Sequence, residues 1–131
     1  MGDFNNDGRI DVLVGNCGEA PLLLKNNAGA GNHWVGLRLT GKNCNRDAVG
    51  ARISWQLTGG GRKLSRLKNS GGSYLSSHDP REVLGLGAAA KADWVEVRWP
   101  KPSTRVERFP NLPVDRYSEI VEGAGVAVGA R

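Results

Sequence analysis

The sequence predicts an all-β protein, an antiparallel β-sandwich, and three observations carry that prediction. Nineteen glycines and six prolines punctuate 131 residues, and the apolar runs between them are short, as strands separated by tight turns require. The clearest of those runs alternate apolar and polar residues with a period of two. At 39% apolar content and this length, the chain is sufficient for one main domain with its own core.

The first element is a loop. Residues 3 to 11 read Asp-Phe-Asn-Asn-Asp-Gly-Arg-Ile-Asp, which places Asp3, Asn5, Asp7 and Asp11 at spacings suited to a hard divalent cation, with Arg9 contributing only its carbonyl. Three carboxylates so close repel one another unless a cation lies among them, and Gly8 supplies the turn. Calcium is the natural occupant, because it accepts many oxygens at flexible angles, whereas zinc would call for His or Cys. Val14 argues against a helix-loop-helix hand, because it stands where that motif needs a bidentate Glu. The run Asp11-Val-Leu-Val-Gly15 instead predicts a short buried strand leaving the loop. Only Met1 and Gly2 precede Asp3, so the sequence reads as one whose start has been cut away.

The remaining strands follow in order. From His33, Val35, Leu37 and Leu39 share one face while Trp34, Gly36 and Arg38 share the other. From Val49, the residues Ala51, Ile53, Trp55 and Leu57 continue one apolar face, and Gly59-Gly60-Gly61 turns the chain back. Arg62 to Lys68 has no clean inside and reads as a charged edge strand that discourages edge-to-edge association, the alternative being a polyanion-binding patch. In Asp93 to Trp99, Val95, Val97 and Trp99 alternate against Trp94, Glu96 and Arg98, and Pro100 ends the ladder. Further strands are predicted near 104–109 and 117–122. The small-residue tail from Gly123 to Arg131 is expected to be frayed or extended.

At Asn45-Arg-Asp-Ala-Val-Gly-Ala-Arg-Ile53, Gly71-Gly-Ser-Tyr-Leu-Ser-Ser-His-Asp-Pro80, Val83-Leu-Gly-Leu-Gly87 and Val95-Glu-Val-Arg-Trp-Pro100, the chain resembles the ASPIC/UnbV domain. That domain follows FG-GAP or VCBS propeller repeats in secreted proteins of the cartilage-acidic-protein type, and the loop at Asp3 to Asp11 is similar to the calcium loop of such a repeat. The resemblance implies a remnant of a β-propeller blade over residues 1–30, a sandwich over 31–123 and a flexible tail over 124–131. It also implies Ca2+ as cofactor, a secreted, extracellular or periplasmic setting, and a noncatalytic binding or structural role beside upstream propeller repeats. The chain departs from the family's usual pattern at Lys101-Pro102-Ser103, after the Trp-Pro, and at Ser77-His78.

Catalytic motifs are weak by comparison. Ser77-His78-Asp79 has the residue types of a triad, but neighbours on an extended chain point to opposite faces. Gly85 to Ala90 fits a loose dinucleotide fingerprint without the helix it must open, and reads as a turn. Gly59 to Lys63 lacks the ending of a phosphate loop. His33 and His78 have no partner at metal-ligand spacing. No enzyme activity is expected of this chain, although an active site in absent propeller repeats would make it an accessory domain.

Partner expectations rest on charge and on the tryptophans. The net charge is +5, with an acidic excess confined to the first twenty residues and a basic remainder. Those bases are dispersed, which argues against nucleic acid, and no stretch reaches membrane-spanning length. Trp34 and Trp94 fall on polar strand faces, where an exposed indole can serve as a platform for a glycan or a partner protein. The alternative is that loops or absent repeats cover them. Cys17 and Cys44 could pair in an exported protein or both stay free. An unpaired blade strand offers open edges for a homo-oligomer.

Overall fold

A computed structural model describes residues 1–59 and 62–128 and bears out the all-β sandwich. Ten strands form in chain order: β1 (Val12–Val14), β2 (Leu22–Leu24), β3 (His33–Thr40), β4 (Arg52–Leu57), β5 (Lys63–Leu67), β6 (Glu82–Gly87), β7 (Ala92–Arg98), β8 (Val106–Phe109), β9 (Tyr117–Val121) and β10 (Val126–Ala127). A five-stranded sheet in the order β10-β8-β7-β4-β5 packs against a three-stranded sheet in the order β6-β3-β9. β1 and β2 make a separate two-stranded ribbon.

The period-two pattern explains the layers. Val35, Leu37 and Leu39 of β3, Leu84 and Leu86 of β6 and Ile120 of β9 face Ile53 and Trp55 of β4, Val95 and Val97 of β7 and Phe109 of β8 in one continuous core. Trp99 caps it just beyond β7, with its indole N–H donated to the buried carboxylate of Glu107 at 2.6 Å. β5 is an edge strand with mostly exposed residues, as its charge pattern predicts. Gly60 and Gly61 of the predicted turn lie outside the described residues, but β4 and β5 pair antiparallel on either side of it, Gln56 opposite Lys63.

Three expectations are corrected. β3 and β9 pair in parallel, so the smaller sheet is mixed rather than antiparallel throughout; the long excursion through the larger sheet supplies the crossover that a parallel pair needs. The strand after the calcium-type loop is not buried: Leu13, Val14, Leu22, Leu23 and Leu24 are all exposed, because the β1–β2 ribbon has no third layer on it. Gly85 and Gly87 belong to strand β6 before the chain turns. Of the two readings of the tail, frayed or extended, Val126 and Ala127 take the extended one and pair with Arg108 and Glu107 of β8; residues 129–131 of that tail lie outside the described residues.

Candidate functional site

The loop from Asp3 to Asp11 is built by its own side chains. Gly2 and Asp11 close its neck with a pair of backbone hydrogen bonds of 3.1 and 2.8 Å. Asp3, 1% exposed, accepts the Asp7 and Gly8 amides at 3.0 and 2.9 Å. Asp11, also buried, accepts the Asn26 amide at 2.8 Å and that of Phe4 at 3.3 Å, which ties the loop to the strand end after β2. Each carboxylate thereby satisfies turn amides that would otherwise lack partners.

Asp7 behaves differently. Partial burial pushes its carboxyl up, but hydrogen bonds from Asn5 and Arg9 and the Arg9 charge outweigh that and hold it below the usual carboxylate range. Its Oδ2 accepts Asn5 Nδ2 at 2.7 Å and Arg9 Nη2 at 2.5 Å. Arg9 therefore takes part through its guanidinium, which also reaches the Asn26 carbonyl at 3.0 Å, and not only through its carbonyl. Among the described residues, no three acidic, His or Cys side chains converge as a metal-holding group. The donor set of Asp3, Asn5, Asp7 and Asp11 still suits a hard, oxygen-seeking cation by its chemistry.

The loop is seated on the sandwich by residues far along the chain. Tyr117, at the start of β9, donates its hydroxyl to Asp3 Oδ2 at 2.7 Å. Arg81, just before β6, forms a two-pronged pair with Asp79, donates Nη2 to the Asp3 carbonyl at 2.8 Å and donates Nη1 to Asn6 Oδ1 at 2.6 Å. Its guanidinium lies 4.1 Å from the centre of the Tyr117 ring, a favourable cation–π placement. Burial, the hydrogen bond to Asp3 and the Asp3 charge raise the Tyr117 phenol well above its ordinary value, so it stays a donor. The hydrogen bonds that the Arg81 guanidinium donates to Asp79 raise Arg81 above its own ordinary value.

Trp34 completes the seat, and of the two readings the sequence left open it follows the one in which a loop covers the indole. It is buried, meets Tyr117 edge-on at 5.0 Å between ring centres, and lies under Gly8. Gly8 has φ +78°, and a Cβ there would fall 2.3 Å from the indole, so only glycine lets the loop lie flat on the ring. Gly36 of β3 leaves comparable room for Tyr117. Trp94 is half-buried on the outer face of β7, with Arg108 at 4.4 Å and Lys63 at 5.3 Å from its ring centre.

Elsewhere, Ser77, His78 and Asp79 form no relay: the Ser77 hydroxyl meets the His78 carbonyl, and Asp79 is held by Arg81. His33 pairs with Asp115 at 2.8 Å. Cys17 and Cys44 are both free thiols, so the staple that exported cysteines could make is not formed. Cys44 instead joins a buried carboxylate site, in which Glu122 accepts the Lys42 and Asn43 amides at 2.7 Å and the Ser103 hydroxyl at 2.5 Å. Burial alone would raise Glu122, but these bonds hold it at about 2. Burial and the neighbouring Glu122 push the Cys44 thiol up to about 11.

Residues 41–127 match the family model described as ASPIC and UnbV, well over half of the chain. The chain belongs to the ASPIC/UnbV family. No curated protein matches it. The ASPIC/UnbV match opens at Gly41, immediately after β3, and runs through β10. Arg81, Tyr117 and the Glu122 site lie inside it, whereas the Asp3 loop, the β1–β2 ribbon and Trp34 lie before it. ASPIC/UnbV domains are accessory domains of the protein-interaction type, often found with FG-GAP repeats, and among the described residues no helix is long and apolar enough to cross a membrane.

Arg81 and Tyr117 were not legible as site residues. Their only sequence signal is the Asp79-Pro80-Arg81 spacing, which permits the local ion pair but says nothing of a loop more than seventy residues away.

Proposed function

We propose that this chain is the joint between a calcium-stabilised, propeller-type repeat and a noncatalytic ASPIC/UnbV binding module, in a longer secreted or periplasmic protein. The observation that carries the reading is the lock of Arg81 and Tyr117 on Asp3. A sandwich that spends a tyrosine hydroxyl and a guanidinium on the first residue of a calcium-type loop fixes the orientation of that loop. The exposed apolar β1–β2 ribbon supports the same reading, since a neighbouring strand or blade layered on it would remove that surface from water.

In this reading Asp3, Asn5, Asp7 and Asp11 hold Ca2+, with the Arg9 carbonyl in support, and the ion relieves the mutual repulsion of the carboxylates. Asp7 must leave the Arg9 guanidinium to take part. Calorimetric titration of calcium into chelator-stripped protein tests this, with Asp7→Ala as control and magnesium as competitor. Saturable binding lost in the variant is the expected result; its absence from the folded wild-type chain would overturn the calcium part.

A second reading, a glycan-binding module, draws on Trp94. Its ring is flanked by two cations rather than left open, which favours a charged ligand over a neutral sugar stacked on the indole.

A further inference from the structure

We infer that the outer face of the five-stranded sheet is a binding site for an acidic polysaccharide. The face carries a depression of about 600 Å³ lined by Arg52, Ser54, Lys63, Ser65, Glu96 and Arg98. Arg52 and Arg98 stand directly opposite each other on β4 and β7. Like charges in that position repel, and a sheet normally places an acid beside them. Here neither arginine has a carboxylate or other polar partner among the described residues, while Glu96 two residues along is engaged by Arg108 at 2.9 Å. The cost of the arginine pair is relieved by an anion that bridges both guanidiniums, whose planar forks match carboxylate and sulfate oxygens.

The rest of the face selects among anions. Lys63 lies opposite Gln56, four residues along β4 from Arg52, so cationic points mark two ends of the depression roughly 13 Å apart at strand rise. Between them lie the cross-strand serine pair Ser54 and Ser65 and the Glu96 carboxylate, groups suited to sugar hydroxyls. A polymer with alternating charged and neutral hydroxylated sugars fits that order. A phosphate backbone, charged at every unit, would meet Glu96, and Trp94, two residues from Glu96 on β7, is flanked by Arg108 and Lys63 instead of standing open for bases. The inference rests on the binding-module reading but not on the calcium loop.

The test is binding of the full chain to an acidic polysaccharide of the hyaluronan type, in which uronate and neutral N-acetylated sugars alternate, at physiological salt, beside neutral dextran and single-stranded DNA. The double variant Arg52→Ser/Arg98→Ser is compared with Lys25→Ser/Arg46→Ser, which removes the same charge elsewhere. The expected result is preference for the polysaccharide and a loss of roughly tenfold or more in the first variant alone. Equal loss in both variants, equal or tighter binding of DNA, or no binding would overturn it. Thermal unfolding gives a ligand-free check: Arg98→Ser should melt no lower than wild type, because it removes a repulsion. Calcium titration of the same samples separates the two readings, since polysaccharide binding can fail while calcium binding stands.

Discussion

Tyr117 donates its hydroxyl to the buried carboxylate of Asp3 across 2.7 Å, joining residues 114 positions apart in sequence. The bond unites the start of the chain with β9, the edge strand of the smaller sheet that runs parallel to β3, and Arg81 braces both partners, one through its guanidinium face and the other through the Asp3 carbonyl. Tyr117→Phe removes the donor and leaves the ring. The expected cost is about 1–3 kcal/mol, the range for a bond to a buried charged group, read by urea denaturation. Unchanged stability together with unchanged protease resistance at residues 3–11 would show that the loop is held by Arg81 alone.

Gly8→Ala should loosen the same seat from the other side. The left-handed backbone conformation disfavours any Cβ by roughly 1–2 kcal/mol, and the added methyl meets the Trp34 indole. Tryptophan fluorescence should shift toward the red as the loop lifts, and a wild-type spectrum would contradict the packing described above.

Arg9→Ala is expected to tighten calcium binding. Arg9 pairs with Asp7 at 2.5 Å, so its guanidinium competes with any cation for that carboxylate. Titration should give an affinity several-fold above wild type by that argument; weaker binding would mean that Arg9 shapes the loop more than it blocks it.

Acid should destabilise the fold through Glu122. Its folded pKa, about 2, lies below its ordinary value of 4.5. A depressed carboxylate contributes stability that is fully present above the ordinary value and is lost as pH falls from there through the folded value. Melting temperature should therefore drop between about pH 4.5 and 2. Glu122→Gln should melt lower than wild type at neutral pH and show a flatter acid limb, and a parallel pH profile for the two proteins would rule Glu122 out as the cause.

The β1–β2 ribbon should drive self-association. Every residue of β1 and β2 is apolar and the leucines are about half exposed. Light scattering should show mass rising with concentration, and Leu13→Lys/Leu23→Lys should reduce the rise. A constant monomer mass for wild type would contradict this.

Strands β3, β4 and β7 were legible because each sets one apolar face on a core, and the alternation states that face directly. The partner of β9 was not, since the choice between parallel and antiparallel pairing with β3 depends on a crossover that no local pattern encodes. β1 misled for a related reason: an apolar run reports affinity for a cover, not the presence of one. Trp34 sat on the polar face of its strand in the sequence, and only the loop lying across it from Gly8 explains its burial. At the candidate site the loop's own donors were readable from their spacing, whereas Arg81 and Tyr117, which seat it, act through contacts more than seventy residues distant.

The two thiols differ in a way that has a practical use. Thiolates, not thiols, react with alkylating reagents, and the Cys44 thiol, raised to about 11 beside Glu122, is almost wholly protonated at neutral pH and half-buried. Cys17 is exposed in the turn between β1 and β2. A maleimide dye added at neutral pH to the wild-type protein should therefore mark Cys17 alone, placing a reporter on the ribbon without any engineered cysteine.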